Sequence, residues 1–230
     1  RFQASTAPIF VRTDQFQAQT NGEFLATARV IDASQSNAVI AALVGLFASD
    51  GTRIWQAQVI ERQRPYQTSS QSALNTQIAR ASNGDVYLGI QAIEANPAAA
   101  PVKVCRIQAS GIPAGCFSAP LAGRLVALLR DSNSESVIAF ARAHTGATIE
   151  SQLTTQMYAV NTSGFSAAML TIPEHIALAA DSFLPATGAI FAVLGTLNNY
   201  GAYVDRPSGL VKLFKISIAS DLIFTNGFED

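Results

Sequence analysis

Two short sequence elements recur along this chain of 230 residues. In the first element, a turn that ends in glycine is followed by an apolar strand. Repetition of this kind is typical of folds in which similar units stack and bury a common core between them. The copies read NGEFLATARVID from Asn21, NGDVYLGIQAIE from Asn83, AGRLVALLRD from Ala122 and TGAIFAVLGTL from Thr187.

The second element consists of two strands around a tight turn, and one copy follows each copy of the first element. Its copies read ALVGLFASDGTRIWQAQV, VKVCRIQASGIPAGCF, VIAFARAHTGATIESQL and, in degenerate form, GLVKLFKISIASDLIF. The turn glycines are Gly51, Gly111 and Gly146, whereas the last copy has Ala219-Ser220 instead. Glycine fits these positions because hairpin turns require residues with positive φ.

Each repeat therefore supplies three strands, and the segment before it offers a fourth. The candidate fourth strands are Ala7–Val11, Ala73–Ala81 and Ser166–Ile172. Helix periodicity with capping residues is weak throughout, while β-branched and aromatic runs between turn residues are frequent. We expect one all-β domain of about four antiparallel four-stranded units, at residues 7–60, 61–121, 122–164 and 165–230.

The segment Leu46–Trp55 has an apolar strand, then Asp-Gly-Thr, then a strand containing Trp. It resembles the outer hairpin of blades in the β-propeller superfamily. The resemblance implies stacked four-stranded blades in a ring, either complete in this chain or the C-terminal part of a longer chain. An oligomer is a further way to complete such a ring. A β-sandwich is the alternative fold, because short strands with glycine turns also build one.

The composition argues against several classes of partner. Fifteen Lys and Arg residues against sixteen Asp and Glu give a formal net charge of −1, which provides no basic surface for nucleic acid. No apolar run is long enough for a transmembrane helix. No glycine-rich phosphate loop or dinucleotide fingerprint is present, so we expect no cofactor.

Cys105 and Cys116 lie in the sequence VCRIQASGIPAGCF, which predicts two strand ends around a turn. A disulfide across such a hairpin is geometrically reasonable, and two buried free thiols are the alternative. Two cysteines and two distant histidines do not provide the ligand spacing of a zinc site. We therefore predict a disulfide and no metal.

The C-terminal residues include Ile223-Phe224 and, after two further residues, Gly227-Phe228-Glu229. They resemble the Ile-Phe-x-x-Gly-Phe-Glu tail of many exported proteins from xanthomonad-like gammaproteobacteria. The resemblance implies a bacterial protein that is secreted or located in the periplasm or cell envelope. It implies no activity, because the tail occurs on unrelated proteins. The segment also fits a last strand of the final unit.

The sequence contains no convincing catalytic constellation, so the catalytic residues stay unknown. His144 and His175 are the two histidines, and neither accompanies a serine in a nucleophile elbow. Most carboxylates lie at predicted strand ends, where Asp favours the turn itself. The loop from Asp131 to Glu135 is rich in oxygen atoms but lacks the pattern of a calcium-binding loop.

A polar and aromatic loop offers the best candidate binding site. It contains Asn198, Asn199, Tyr200 and Tyr203, and Trp55 is a further candidate for stacking against a ligand. Loops on a rigid β scaffold are frequent binding sites. The sequence thus favours a non-catalytic binding or structural domain that recognises a protein or glycan through strand-connecting loops. The alternatives are a secreted hydrolase of polysaccharide or peptide, and a fragment of a larger propeller.

Overall fold

The computed structural model describes residues 9–35, 38–60, 77–91, 101–131, 134–143, 154–172, 183–184, 189–195 and 211–217. These residues form β-strands joined mostly by short turns, and they include no α-helix and one short 3-10 turn, Ala33–Gln35. The predicted all-β fold is therefore confirmed. No helix among the described residues has the length and apolar character needed to cross a membrane.

The first sheet, unit I, has four antiparallel strands in sequence order. Its strands are β1 (Ile9–Ala18), β2 (Phe24–Asp32), β3 (Ala38–Phe47) and β4 (Arg53–Val59). Because each strand pairs with its neighbours in the chain, the apolar side chains of one sheet come from a continuous segment. Unit I thus forms from local hairpins.

Units II and III share one long strand, β8 (Pro113–Arg130). The first half of β8 pairs with β7 and closes unit II, while the second half pairs with β9 and opens unit III. The other strands of unit II are β5 (Gln77–Arg80), β6 (Val86–Gln91) and β7 (Pro101–Ile107). The others of unit III are β9 (Val137–Ala143), β10 (Thr154–Asn161), β11 (Gly164–Phe165) and β12 (Leu170–Ile172).

The last described sheet, unit IV, has three antiparallel strands in sequence order. They are β13 (Phe183–Leu184), β14 (Ala189–Gly195) and β15 (Val211–Ser217). The order and direction of these strands match the first three strands of units I and II. The tail at residues 223–229, which suggested export, lies outside the described residues.

Two details of the sequence interpretation are wrong. Gly123 was expected to end a turn, but β8 continues through it without interruption, so the AGRLV copy does not follow a hairpin turn. The segment Ser166–Ile172 was expected to open the last unit. Instead β12 pairs with β10 inside unit III, where Leu170, Thr171 and Ile172 lie opposite Met157, Gln156 and Thr155 of β10.

Two of the hydrophobic clusters lie between neighbouring units. One cluster joins unit I to unit II: Leu25, Ala42, Val44, Leu46, Ala57, Val59, Ile78, Val86, Leu88, Ile90, Cys105 and Ile107. A second joins unit II to unit III: Ala79, Ala81, Tyr87, Val102, Val104, Ala119, Leu128, Val137, Ala139, Ala141, Tyr158 and Val160. Stacked sheets bury both faces of unit II in this way, as the repeats predicted.

The predicted disulfide is present between Cys105 and Cys116. The two residues are direct cross-strand partners in β7 and β8, with Cα atoms 3.9 Å apart. Such close pairs are typical of non-hydrogen-bonded positions in an antiparallel ladder. Cys105 is buried in the cluster between units I and II, and Cys116 packs against the same cluster.

Candidate functional site

Four tight turns of units I and II have the same hydrogen-bond pattern. In each turn the glycine N–H donates to the carbonyl three residues earlier, and that earlier residue's N–H donates to the carbonyl after the glycine. The glycines have φ between 82° and 89°, where other residues are strained. The turns are Gln19–Glu23, Ala48–Thr52, Ala81–Asp85 and Gln108–Ile112.

In three of these turns, a side-chain oxygen accepts a hydrogen bond from the backbone N–H two residues later. Asn21 Oδ1 accepts from the Glu23 N–H at 3.1 Å, Asp50 Oδ1 from the Thr52 N–H at 2.8 Å, and Asn83 Oδ1 from the Asp85 N–H at 3.0 Å. This is the local bond that makes Asn and Asp favourable in turns. The turn carboxylate at Asp50 is therefore structural, and its bond to Thr52 lowers the pKa of Asp50.

The turns of neighbouring units are also linked to each other. Arg80 Nη1 of unit II lies 2.8 Å from Glu23 Oε2 of unit I, and the Ser82 hydroxyl donates to the Ser134 carbonyl of unit III at 2.8 Å. The hydrogen bond from Asn21 and the Arg80 contact lower the pKa of Glu23. We call this end of the sheets the turn end. Glu23, Arg80 and Asp50 at the turn end are thus engaged in holding turns and units together.

Asp85 is a buried carboxylate at the turn end that binds two partners. Its Oδ2 accepts from Arg106 Nε at 2.7 Å, and its Oδ1 accepts from the Ala109 N–H at 3.0 Å. Asp85 is buried, and it therefore joins the β5–β6 turn to the β7–β8 turn in a position that solvent barely reaches. Such a carboxylate is positioned to organise turns.

Tyr87 carries a buried hydroxyl that interacts electrostatically with Arg106 and Asp85 of this network. Its side chain is fully buried between units II and III. Burial raises the pKa of Tyr87, against a smaller opposing effect of Arg106. A hydroxyl with a raised pKa stays protonated at neutral pH and is not an activated nucleophile. Among the described residues, no three His, Cys, Asp or Glu side chains lie together as a metal site requires.

A buried ion pair lies on unit I. Arg29 Nη2 of β2 and Asp14 Oδ1 of β1 are 2.6 Å apart, and both side chains are almost completely buried. Asp14 is the extra residue of a β-bulge, because the register passes directly from Thr13 to Gln15. A bulge re-aims side chains and is common near functional sites. The sequence did not predict this pair, although the charge of Arg29 within the apolar run of β2 is a signal for it.

The opposite end of the sheets, the connection end, is where the longer connections leave. The ends of β2, β4, β6, β9 and β12, which border residues 33–37, 61–76, 92–100, 144–153 and 173–182, lie there, because the antiparallel strands alternate in direction. His144 directly follows the end of β9, and His175 follows the end of β12. Both histidines themselves lie outside the described residues.

The predicted binding loop lies in a corresponding connection of unit IV. Asn198, Asn199, Tyr200 and Tyr203 fall between β14 and β15, whose ends Gly195 and Val211 are cross-strand partners. These four residues lie outside the described residues, so their role stays a prediction. The β2–β3 and β6–β7 connections occupy the same place in units I and II.

Trp55, the other predicted binding residue, lies at the boundary between units I and II. The ring packs so closely on Gly111 of the β7–β8 turn that a Cβ atom at Gly111 would lie 2.8 Å from the ring. Trp55 is half-buried and also packs against the cluster between the two units. The structure thus gives Trp55 a packing contact, and the other four predicted binding residues lie outside the described residues.

Comparisons with known proteins give little further information. No protein-family model matches the chain, and no curated protein matches it in sequence. Among solved structures, a luciferin-regenerating enzyme is similar with a TM-score of 0.46 and 10% sequence identity. The match covers 91% of this chain and 62% of that chain, so this chain spans less than two thirds of the enzyme's length.

Proposed function

We propose that this chain is an exported, non-catalytic binding domain whose connection end recognises a glycan. The proposal rests on a difference between the two ends of the sheets: one end is occupied by structural contacts, and the other carries the longer connections. At the turn end, Glu23, Asp50 and Asp85 are engaged in turns and contacts between units. The connection end is the one from which the longer segments leave, and loops on a rigid scaffold are the usual place for recognition.

The composition of the predicted loop supports a glycan as the ligand. Asn198 and Asn199 offer amide donors and acceptors, and Tyr200 and Tyr203 offer rings for stacking against sugar faces. A protein ligand remains the alternative outcome of the experiment below. The Cys105–Cys116 disulfide supports export, because disulfides persist mainly in oxidising compartments.

We further propose that the four units close into a propeller-like ring. The support comes from β2, in which every residue from Leu25 to Asp32 is buried instead of every second one. Leu25 faces unit II, whereas Ala28 and Val30 belong to a separate buried cluster on the other face of unit I. A strand buried on both faces needs a layer on each side, and unit IV is the sheet we assign to the second side.

Affinity electrophoresis in gels that contain xylan, laminarin or hydroxyethyl cellulose tests the binding function. We expect at least one polysaccharide to retard the protein, and Tyr200→Ala or Tyr203→Ala to reduce the retardation. Thr162→Ala is the matched control, because Thr162 is exposed in the β10–β11 turn at the turn end. Its retardation should equal that of the unchanged protein.

Three results would contradict the proposal. The first is an absence of retardation in all three gels, combined with binding to a protein ligand through the same tyrosines. The second is equal loss of retardation in Thr162→Ala. The third is release of reducing sugars that disappears in His144→Ala or His175→Ala, which would make the protein a hydrolase.

A further inference from the structure

We propose that the Cys105–Cys116 disulfide stabilises the contact between unit I and unit II, and that reduction of the disulfide by a thiol weakens this contact. The disulfide lies on the face of unit II that packs against unit I, since Cys105 belongs to the cluster shared by the two units. Trp55 and Cys116 are the two partly buried residues that pack against this same cluster. A change in the disulfide therefore acts directly on the contact between the units.

The regular pairing of the hairpin that carries the disulfide is short. The β7–β8 ladder has irregularities between Pro101 and Lys103 and between Arg106 and Ile107, on both sides of the Cys105–Cys116 pair. Regular pairing is thus confined to a few residues around the disulfide. In the first half of β8, Pro113 has no N–H to donate, and Gly115 has a φ of 111°. This half of β8 is also an edge strand of unit II, because it pairs with β7 alone.

Unit I touches the tip of this same hairpin. The ring of Trp55 lies against Gly111, at the turn that joins β7 to β8. If the disulfide opens, β7 and β8 lose the covalent link between their paired residues, and the turn at the tip of the hairpin becomes freer to move. We expect Trp55 to lose its packing surface while the separate strand pairing of unit I is kept.

The opening step is ordinary thiol–disulfide exchange. A thiolate of dithiothreitol attacks one sulfur of the disulfide and forms a mixed disulfide, and its second thiol displaces the remaining cysteine. Dithiothreitol is oxidised to its cyclic disulfide, and Cys105 and Cys116 together gain two electrons and two protons. Cys116 is the expected point of attack, because it is partly exposed whereas Cys105 is buried.

The experiment uses the fluorescence of Trp55, the one tryptophan in the chain. The emission wavelength and the acrylamide quenching constant are measured before and after treatment with dithiothreitol, and alkylation with mass spectrometry verifies complete reduction. We expect reduction to shift the emission to longer wavelength and to increase the quenching constant, while the far-UV circular dichroism keeps its β-sheet signal. Intensity alone is not used, since disulfides quench nearby indoles directly.

The double variant Cys105→Ala/Cys116→Ala provides the control. It should show the shifted emission and higher quenching constant without reductant, and dithiothreitol should change neither value. Unchanged emission and quenching after verified reduction would overturn the proposal. Loss of the β-sheet signal on reduction would also overturn it, because the disulfide would then support the whole fold instead of one contact.

Discussion

Gly51 and Gly111 are equivalent residues in different surroundings. Each ends the tight turn of an outer hairpin, with φ of 82° at Gly51 and 85° at Gly111. A Cβ atom at Gly51 would meet nothing within 4 Å, whereas one at Gly111 would meet the Trp55 ring. Gly51 is therefore required only by the backbone conformation of its turn, whereas Gly111 is also required because the Trp55 ring of the neighbouring unit packs against it.

This difference can be measured with two alanine variants. We expect Gly51→Ala to lower the free energy of unfolding by about 1–2 kcal/mol, which is the usual cost of the left-handed conformation for a residue with a side chain. Gly111→Ala should cost more, because Trp55 must also move, and its tryptophan emission should shift to longer wavelength. Urea unfolding of both variants checks the order. Equal losses and unchanged emission would show that the Trp55 contact does not contribute.

The ion pair between Glu23 and Arg80 should make a small contribution that depends on pH. The pKa of Glu23 is lowered from its ordinary value of 4.5 in the folded protein, first by Asn21 and then by Arg80. A carboxylate with a lowered folded pKa stabilises the protein above the unfolded pKa, and this stabilisation is lost as the pH falls through the folded pKa.

We therefore expect Glu23→Gln to be less stable than the unchanged protein at pH 7, and the difference to shrink below pH 4.5. Urea midpoints between pH 3 and pH 7 measure it, and Glu135→Gln serves as an exposed control at the same end of the sheets. The effect should be small, since surface ion pairs contribute little. A difference that stays constant over the whole pH range would contradict this assignment.

Among the connecting elements, the two turns of unit II depend on one carboxylate. Asp85 binds Arg106 and the Ala109 N–H, whereas Asp50 at an exposed turn bonds to the neighbouring Thr52 of its own turn. We expect Asp85→Ala to cost about 2–3 kcal/mol, because it leaves the partly buried Arg106 guanidinium and the Ala109 N–H without their acceptor. Asp50→Ala should cost about 1 kcal/mol or less. Thermal or urea unfolding checks this, and equal costs would mean that Asp85 does not link the turns.

Short sequence motifs predicted the tight turns between strands better than they predicted where one unit ends and the next begins. Asn-Gly and Asp-Gly pairs between apolar runs identify the turns at Gly22, Gly51 and Gly84, because only a few residue types tolerate that backbone. The same reasoning failed at Gly123, where a glycine lies inside a strand shared by two units. Sharing of a strand is decided by packing between sheets, and the local sequence carries no signal for it.

The candidate site was less accessible to prediction than the fold. Trp55 was a candidate for stacking against a ligand, and the structure packs its ring on Gly111 of the neighbouring unit. The burial of Asp14 with Arg29 depends on a β-bulge and on pairing fifteen residues apart in the chain. Such a pair cannot be recognised before the register of β1 on β2 is known.

At the scale of the whole molecule, ring closure has a direct consequence for two leucines of β3. Leu46 faces unit II and Leu43 faces the other side of unit I, and both are almost completely buried. If unit IV covers that other side, Leu43→Ala should cost about as much as Leu46→Ala, roughly 2–5 kcal/mol each, since both leave a cavity in a packed layer. Urea unfolding followed by circular dichroism compares them. A much smaller cost for Leu43→Ala would mean that unit IV does not pack over this face of unit I, and the propeller-like ring would then be wrong.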